Sequence, residues 1–199
     1  MFQVDLRDIR FVLFDQLGLQ DSLGKAPYGD FDRETVEMLL EEAFKYSRDV
    51  LWPLADAADT EGVKLVDGQV ITCTGMKEAF KTFREMGWIG LTQSPEYGGQ
   101  GAPIVVGGAA NELFEGSCLA FNLTRLLTDG SAHLIETFGS DELKSRYVEN
   151  MYTGKWTGTM CLTEAGAGSD VGSNRAPAVP EGDHYLIEGE KIFITSGAR

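Results

Sequence analysis

Up to about residue 150, apolar residues recur every three to four positions and no stretch alternates for long, the period of helices with one buried stripe. Val4, Leu6, Ile9, Phe11, Val12, Leu13 and Leu17 predict a first short helix ending near Gly18. Gly24 to Gly29, with Pro27, predicts a connector. Asp32 is placed to cap a helix carrying Val36, Leu39, Leu40, Ala43, Phe44, Val50 and Leu51, with Glu34 in its first turn and a kink or end at Pro53. A small hairpin is expected around Asp67-Gly68. Thr74 is the expected cap of a helix with Met76, Ala79, Phe80, Phe83 and Met86 on one face. Glycines at 98, 99 and 101 predict a loop. Helices over about 104–115 and 118–138 follow, the second stopped by Gly139. Ser140 begins a shorter helix with Leu143, Tyr147 and Val148 facing inward.

The pattern changes after Gly154. Trp156 to Thr163 predicts a strand, followed by a glycine-rich turn. Tyr185, Ile187 and Lys191–Thr195, with Glu188-Gly189-Glu190 between, predict a hairpin rich in β-formers. The expected fold is therefore mainly α: an N-terminal helical bundle followed by the first strands of a β-barrel or sandwich. The expected domains are an extension over 1–32, a helical domain over 33–153 and an incomplete β domain over 154–199. With no room for that sheet to close before Arg199, the chain is expected to be a fragment or to need a partner.

Composition narrows the function classes. Of 199 residues, 43% are hydrophobic, enough to offset chain entropy and to exclude global disorder. With 17 basic against 31 acidic residues, the net charge of −14 argues against nucleic acid or an anionic membrane as partner. No apolar run approaches the roughly 20 residues of a membrane span. The N-terminus lacks the basic and apolar regions of a secretory signal, so a cytoplasmic location is expected. Cys73, Cys118 and Cys161 lack metal or redox spacing and are expected as reduced core residues. With His133 and His184 as the histidines, no metal site is expected. Asn122-Leu123-Thr124 matches a glycosylation acceptor and is expected to be a chance match. Phe11, Phe14, Phe44, Phe80, Phe83, Phe114, Phe121 and Phe138 are expected in the core. The face bearing Glu37, Glu41 and Glu42 is expected to be solvated.

The chemistry is concentrated in Cys161-Leu162-Thr163-Glu164-Ala165-Gly166-Ala167-Gly168-Ser169-Asp170-Val171-Gly172-Ser173. A strand running into such a loop presents backbone N–H groups with little steric cover, beside the hydroxyls of Thr163 and Ser169. It can form a nest for a phosphate or an electron-rich heterocycle edge. The residues alone equally fit a plain glycine-rich turn capped by Ser169 or Asp170. Glycines at 166, 168 and 172 are spaced one residue too long for the dinucleotide fingerprint. No Gly-Lys-Ser/Thr follows, and the GxSxG of a hydrolase elbow is missing.

This stretch resembles the first signature of the acyl-CoA dehydrogenase family, Leu/Val-Thr-Glu followed by Gly-x-Gly-Ser-Asp. Lys191-Ile192-Phe193-Ile194-Thr195-Ser196-Gly197 resembles the family's next flavin-contacting strand. Glu96-Tyr97-Gly98-Gly99-Gln100-Gly101 resembles its helix-connecting loop, and Phe138-Gly139-Ser140-Asp141-Glu142-Leu143-Lys144 its approach to the β domain. The segment Leu6-Arg7-Asp8-Ile9-Arg10-Phe11-Val12-Leu13 resembles the extension of the larger members, among them the 3-methylmercaptopropionyl-CoA dehydrogenase type.

The resemblance implies FAD as cofactor, bound between helical and β domains. It implies Met160, Leu162 and Thr163 at the flavin's pyrimidine edge, Ser169 near the pyrophosphate and the entering CoA ester, Phe193 packed on the ring and Thr195 near N5. Phe193 stands where Trp is frequent, and Ala165 where Pro is. The implied reaction is α,β-desaturation of an acyl-CoA thioester, with electrons passed to an electron-transferring flavoprotein and a homo-oligomer as the complete form. The family's base glutamate lies beyond Arg199, so no catalytic residue is named here, and Glu164 is expected to be structural. Thr128-Asp129-Gly130-Ser131 falls where members line the acyl cavity. Trp88 and Trp156 fit either the flavin groove or plain packing, and Arg175 either a CoA phosphate or solvent. The alternative is a non-catalytic relative that keeps the flavin scaffold for regulation or binding.

Overall fold

The computed structural model describes residues 2–197 and divides them into two units, Met1–Gly158 and Thr159–Arg199. Met1, Ala198 and Arg199 themselves, and with them the expected chain end just past a strand, lie outside the described residues.

The first unit is helical. Asp5 accepts from the Arg7 N–H to start α1 (Leu6–Arg10), which runs on as a π-helical stretch over Phe11–Gln16. Leu6, Ile9 and Leu13, three and four residues apart, keep the helical stripe inward and Phe14 joins them; Phe11, expected in the core, falls on the opposite face and is exposed. Gly18 takes the left-handed conformation that ends the segment. Residues of 1–32 join the same core as the rest of the unit, through Leu6, Ile9, Phe14, Leu19 and Phe31.

Asp32 caps α2 (Arg33–Tyr46), its carboxylate accepting from the Thr35 N–H at 2.7 Å. Pro53 stands in the first turn of α3 (Trp52–Thr60), which follows α2 through a π turn over Ser47–Leu51, so the regular α-helical ladder changes just before the residue that lacks a backbone donor. Asp67 and Gly68, both at positive φ, form the tight turn between β1 (Lys64–Val66) and β2 (Gln69–Ile71).

Thr74 does not cap α4 (Met76–Glu85). The cap position is the left-handed Gly75, and the Thr74 N–H and hydroxyl both donate to the Glu61 carboxylate. Met86, just past the helix, is exposed rather than on the buried stripe.

The two helices expected over 104–138 form one run, α5 (Ile104–Phe138), broken at Cys118, whose φ of −156° and ψ of 88° are extended. The break follows a Gly116-Ser117 pair, and Ser117 Oγ returns to the Phe114 carbonyl at 2.9 Å, a local competitor of the helical ladder. Ser140 caps α6 (Asp141–Tyr152), whose Val148 is buried; Leu143, in the first turn, and Phe138, at the end of α5, are exposed.

The core is built on Phe83, fully buried on α4. Its ring meets Phe114 at 5.0 Å, Phe121 at 5.2 Å, Tyr46 at 5.6 Å and Trp88 at 6.4 Å between centroids. The Tyr46 hydroxyl donates to the Ala79 carbonyl at 2.6 Å, so its polar end is satisfied. Trp88 is thus a core residue, whereas Trp156 is exposed beside Tyr147.

The second unit holds β3 (Ala178–Glu181) and β4 (His184–Ile187), an antiparallel ribbon turned at Gly182-Asp183, with Gly182 supplying the positive φ of the first turn position. The expected hairpin is displaced: Tyr185 and Ile187 pair backward with Pro180 and Ala178, not forward with Lys191–Thr195. The strand expected over 156–163 is not formed either. One backbone bond joins this part of the chain to the later segment, from Ile192 N to Thr163 O at 2.9 Å. Phe193, at φ 57°, breaks the extended path that a longer ladder requires. No helix among the described residues is long and apolar enough to cross a membrane.

Candidate functional site

Two segments of the second unit are brought side by side. Besides the bond from Ile192 to Thr163, the Thr159 hydroxyl donates to the Thr195 carbonyl at 2.5 Å. Met160, Leu162 and Thr163 therefore lie along one segment, with Phe193 and Thr195 along its neighbour. Ser169 follows the tight turn in which Glu164 and Ala167 exchange backbone hydrogen bonds, and it shares no hydrogen bond with the other five residues among those described.

Glu164 holds this arrangement together. Its carboxylate accepts from the Lys191 ammonium at 2.8 Å and from the backbone N–H groups of Arg175 at 2.8 Å and Ala176 at 3.0 Å. Lys191 also reaches the Leu162 carbonyl at 3.1 Å, and the Asn174 amide donates to that same carbonyl at 3.0 Å. One carboxylate thus ties together the segment before the glycine-rich turn, the segment after it, and Lys191 next to Ile192. The Lys191 hydrogen bond, then the two backbone donors, hold its pKa down at about 2. Arg175 contributes its backbone, while its side chain is exposed.

A pH dependence follows. Glu164 is more acidic here than its ordinary value of 4.5, so its contribution is complete above that pH and is lost as pH falls toward about 2. Amide exchange at Arg175, Ala176 and Ile192 is expected to speed up over that interval relative to distant amides. Glu164→Gln is expected to abolish the step, because it leaves nothing to titrate.

Beside the clamp, donors and apolar surface are left free. Among the described residues, the backbone N–H groups of Leu162 and Thr163 and the Thr163 and Ser169 hydroxyls make no hydrogen bond to protein. Met160, Leu162 and Phe193 are exposed, Phe193 at 85%. Donors beside apolar side chains suit a flat, electron-rich heterocycle, with its polar edge toward the donors and its face toward the apolar groups. The residues present thus fit a flavin. No group of three or more metal-ligating side chains occurs among the described residues.

In the helical unit, the stretch Thr128–Ser131 is divided between two directions. The Thr128 hydroxyl accepts from the Gly158 N–H at 3.0 Å, and Ser131 packs so closely that a Cβ on Gly158 would lie 2.8 Å from it. Asp129 instead pairs with Arg125, which is buried. Arg125 also donates to Asn111 and, at 2.9 Å, to Asn122; Asn122 donates to Glu115 at 2.8 Å. These bonds span the break at Cys118. Burial pushes the Asp129 carboxyl up to about 6, against the pull of Arg125. Asn122 is fully enclosed in this network, so the glycosylation match is a chance one. Sequence reasoning expected Glu164 to be structural without naming its partners, and it missed the Arg125 network. Cys73 and Cys118 are buried as expected, but Cys161 is exposed; all three are free thiols.

Comparison with known proteins gives a consistent result. A family model described as "Acyl-CoA dehydrogenase, N-terminal domain" matches residues 33–155. A 3-methylmercaptopropionyl-CoA dehydrogenase of Ruegeria pomeroyi is 38% identical over 98% of this chain and 34% of its own length. Among solved structures, a glutaryl-coenzyme A dehydrogenase in complex with glutaryl-CoA aligns at a TM-score of 0.69 and 28% identity, over 82% of this chain and 40% of that one. PigA with FAD and proline aligns at 0.65 and 25%, over 80% and 40%. The chain spans about a third of the length of the curated relatives it matches.

Proposed function

Because the chain belongs to the acyl-CoA dehydrogenase family, we propose that it supplies part of the FAD site of an enzyme that introduces an α,β double bond into an acyl-CoA thioester. The observation that carries this reading is the Glu164 clamp, with the bond from Ile192 to Thr163, which sets residues 160–163 beside 192–195. When bound, FAD supplies the capacity to accept the hydride leaving the β-carbon. Leu162 and Thr163 offer backbone N–H groups, and Thr163 a hydroxyl, to the polar edge of the ring. Met160 and Phe193 cover apolar ring surface, Thr195 places a hydroxyl beside it, and Ser169 offers a donor to the cofactor's phosphates and the incoming thioester. Donors fixed in advance favour the negative charge that collects on the ring edge, because no reorganisation is needed as it develops. No residue of this chain takes the role of the proton-abstracting base.

The proposed layout has an extension over 1–32, a helical domain over 33–153 and the start of a β domain over 154–199. Electrons would pass to an electron-transferring flavoprotein, the working form would be a homo-oligomer, and free thiols suit the reducing cytoplasm.

FAD fluorescence tests the site. The protein is expected to quench it saturably, and Thr163→Val is expected to weaken binding about 10-fold, the loss of a hydrogen bond to a partly charged acceptor. Absence of saturable quenching by the unaltered protein would defeat the reading.

A further inference from the structure

The two free backbone donors ahead of the glycine-rich turn, the N–H groups of Leu162 and Thr163, are not equivalent. What differs is the carbonyl at the other end of each peptide unit. The unit that carries the Leu162 N–H has the Cys161 carbonyl, which accepts from no group among the described residues. The unit that carries the Thr163 N–H has the Leu162 carbonyl, which accepts from the Lys191 ammonium at 3.1 Å and from the Asn174 amide at 3.0 Å.

This peptide unit is trans, so its N–H and C=O lie in one plane and point in opposite directions. Lys191 and Asn174 therefore stand on the carbonyl side and not on the N–H side. Both are anchored. Lys191 donates a second time, to the Glu164 carboxylate at 2.8 Å, and the two residues after Asn174 give their N–H groups to that same carboxylate. An oxygen that accepts two hydrogen bonds, one of them charged, draws electron density along its peptide and leaves the N–H a stronger donor. Removing the proton from that nitrogen would place most of the resulting charge on the same oxygen, where Lys191 meets it directly. The N–H of Thr163 is thus made more acidic than that of Leu162.

We propose that Lys191 and Asn174 are positioning residues acting through the Leu162–Thr163 peptide. They make the Thr163 N–H the stronger of the two free donors, and the one that favours the extra negative charge at the polar edge of a reduced flavin. The second half of this proposal rests on the flavin reading; the first does not.

The test has two arms. Without flavin, base-catalysed amide exchange in the ¹⁵N-labelled chain reads the acidity of an N–H that has no protein partner. Lys191→Met is expected to slow exchange at Thr163 about 10-fold, the loss of a charged hydrogen bond at the oxygen, and Asn174→Leu about 3-fold. Leu162 should change much less in both. A purely structural role moves the readout the other way, because loosening speeds exchange at Ile192 and Ala176 and does not slow Thr163. Since Lys191→Met also leaves Glu164 unpaired, it is repeated together with Glu164→Gln, and the same slowing is expected relative to Glu164→Gln alone. Unchanged or faster exchange at Thr163 in Asn174→Leu and in the double variant would overturn the proposal. With flavin, the dissociation constants of oxidised and dithionite-reduced FAD are compared anaerobically. Lys191→Met is expected to weaken reduced FAD about 10-fold more than oxidised FAD, a fall of about 30 mV in the two-electron potential. Equal weakening of both forms would overturn the assignment of this N–H to the flavin edge. If the unaltered protein binds no FAD, the flavin reading falls and takes that half of the proposal with it, while the exchange result stands.

Discussion

Replacing Arg125 with leucine is expected to destabilise the helical unit by about 3–5 kcal/mol, the cost of leaving a buried charge without its partner. Arg125 is 4% exposed and joins Asn111 on one side of the Cys118 break to Asn122 and Asp129 on the other. Its removal strips donors from three acceptors at once and leaves the Asp129 carboxylate facing apolar surroundings. Asp129 already holds its proton more tightly than its ordinary value of 3.8, at about 6. A carboxyl raised on folding makes stability fall as pH rises between those two values and level off above the higher one. Without Arg125 the upper limit moves up, so the decline should extend to higher pH. Urea denaturation from pH 4 to 8 measures both effects. Arg125→Leu combined with Asp129→Leu is expected to recover most of the loss, because no unpaired charge remains. If the double variant is as unstable as the single one, the cost lies in packing and not in the orphaned carboxylate.

The elements legible in the sequence are those whose cause is local. Asp32 caps α2 because its own side chain reaches the Thr35 N–H three residues on, and Asp67-Gly68 turns because both residues tolerate positive φ. The two helices expected over about 104–115 and 118–138 are two, separated by the kink at Cys118 within α5. Where apolar residues surround a short helix, residue type alone misleads. Phe11 lies opposite the stripe of Leu6, Ile9 and Leu13 and is exposed, so its being aromatic was no sign of burial. The β elements fail for another reason. Propensity marks where a chain can extend, but a ladder depends on the neighbour it meets, and here Tyr185 and Ile187 find Pro180 and Ala178.

The candidate site shows the same division. Thr163 and the glycine-rich turn stood out because their chemistry is contiguous, and the later segment because it resembled a flavin-contacting strand. The group that joins them did not stand out. Glu164 was expected to be structural, but its main partner, Lys191, lies 27 residues away, and its other two donors are backbone N–H groups that any residue at 175 and 176 would supply. Side chains do not reveal such a role. The Arg125 network was hidden because an arginine and an aspartate four residues apart on a helix ordinarily form a solvent-exposed pair. In the structure Arg125 lies 5.8 Å from the centre of the Phe83 ring, and the pair is on the inward side of α5.

That packing is the basis of the last prediction. Phe83→Ala is expected to cost about 3–5 kcal/mol, since a fully buried ring is lost and its neighbours can close the gap only in part. Four aromatic rings surround Phe83, two of them edge-on at 5.0 and 5.2 Å, so the cavity would open at the centre of the core and not at its margin. Phe83→Leu, which keeps most of the volume, should cost about 1–2 kcal/mol. The two variants also separate stability from function. Trp88 touches Phe83, so both variants should change its fluorescence before global unfolding. The flavin contacts belong to the other unit and are tied together by Glu164, so FAD quenching by the folded fraction is expected to survive Phe83→Leu. A Phe83→Ala variant that unfolds within about 1 kcal/mol of the unaltered protein would mean that the aromatic cluster does not organise the helical unit, and that Arg125 is held inward by something else.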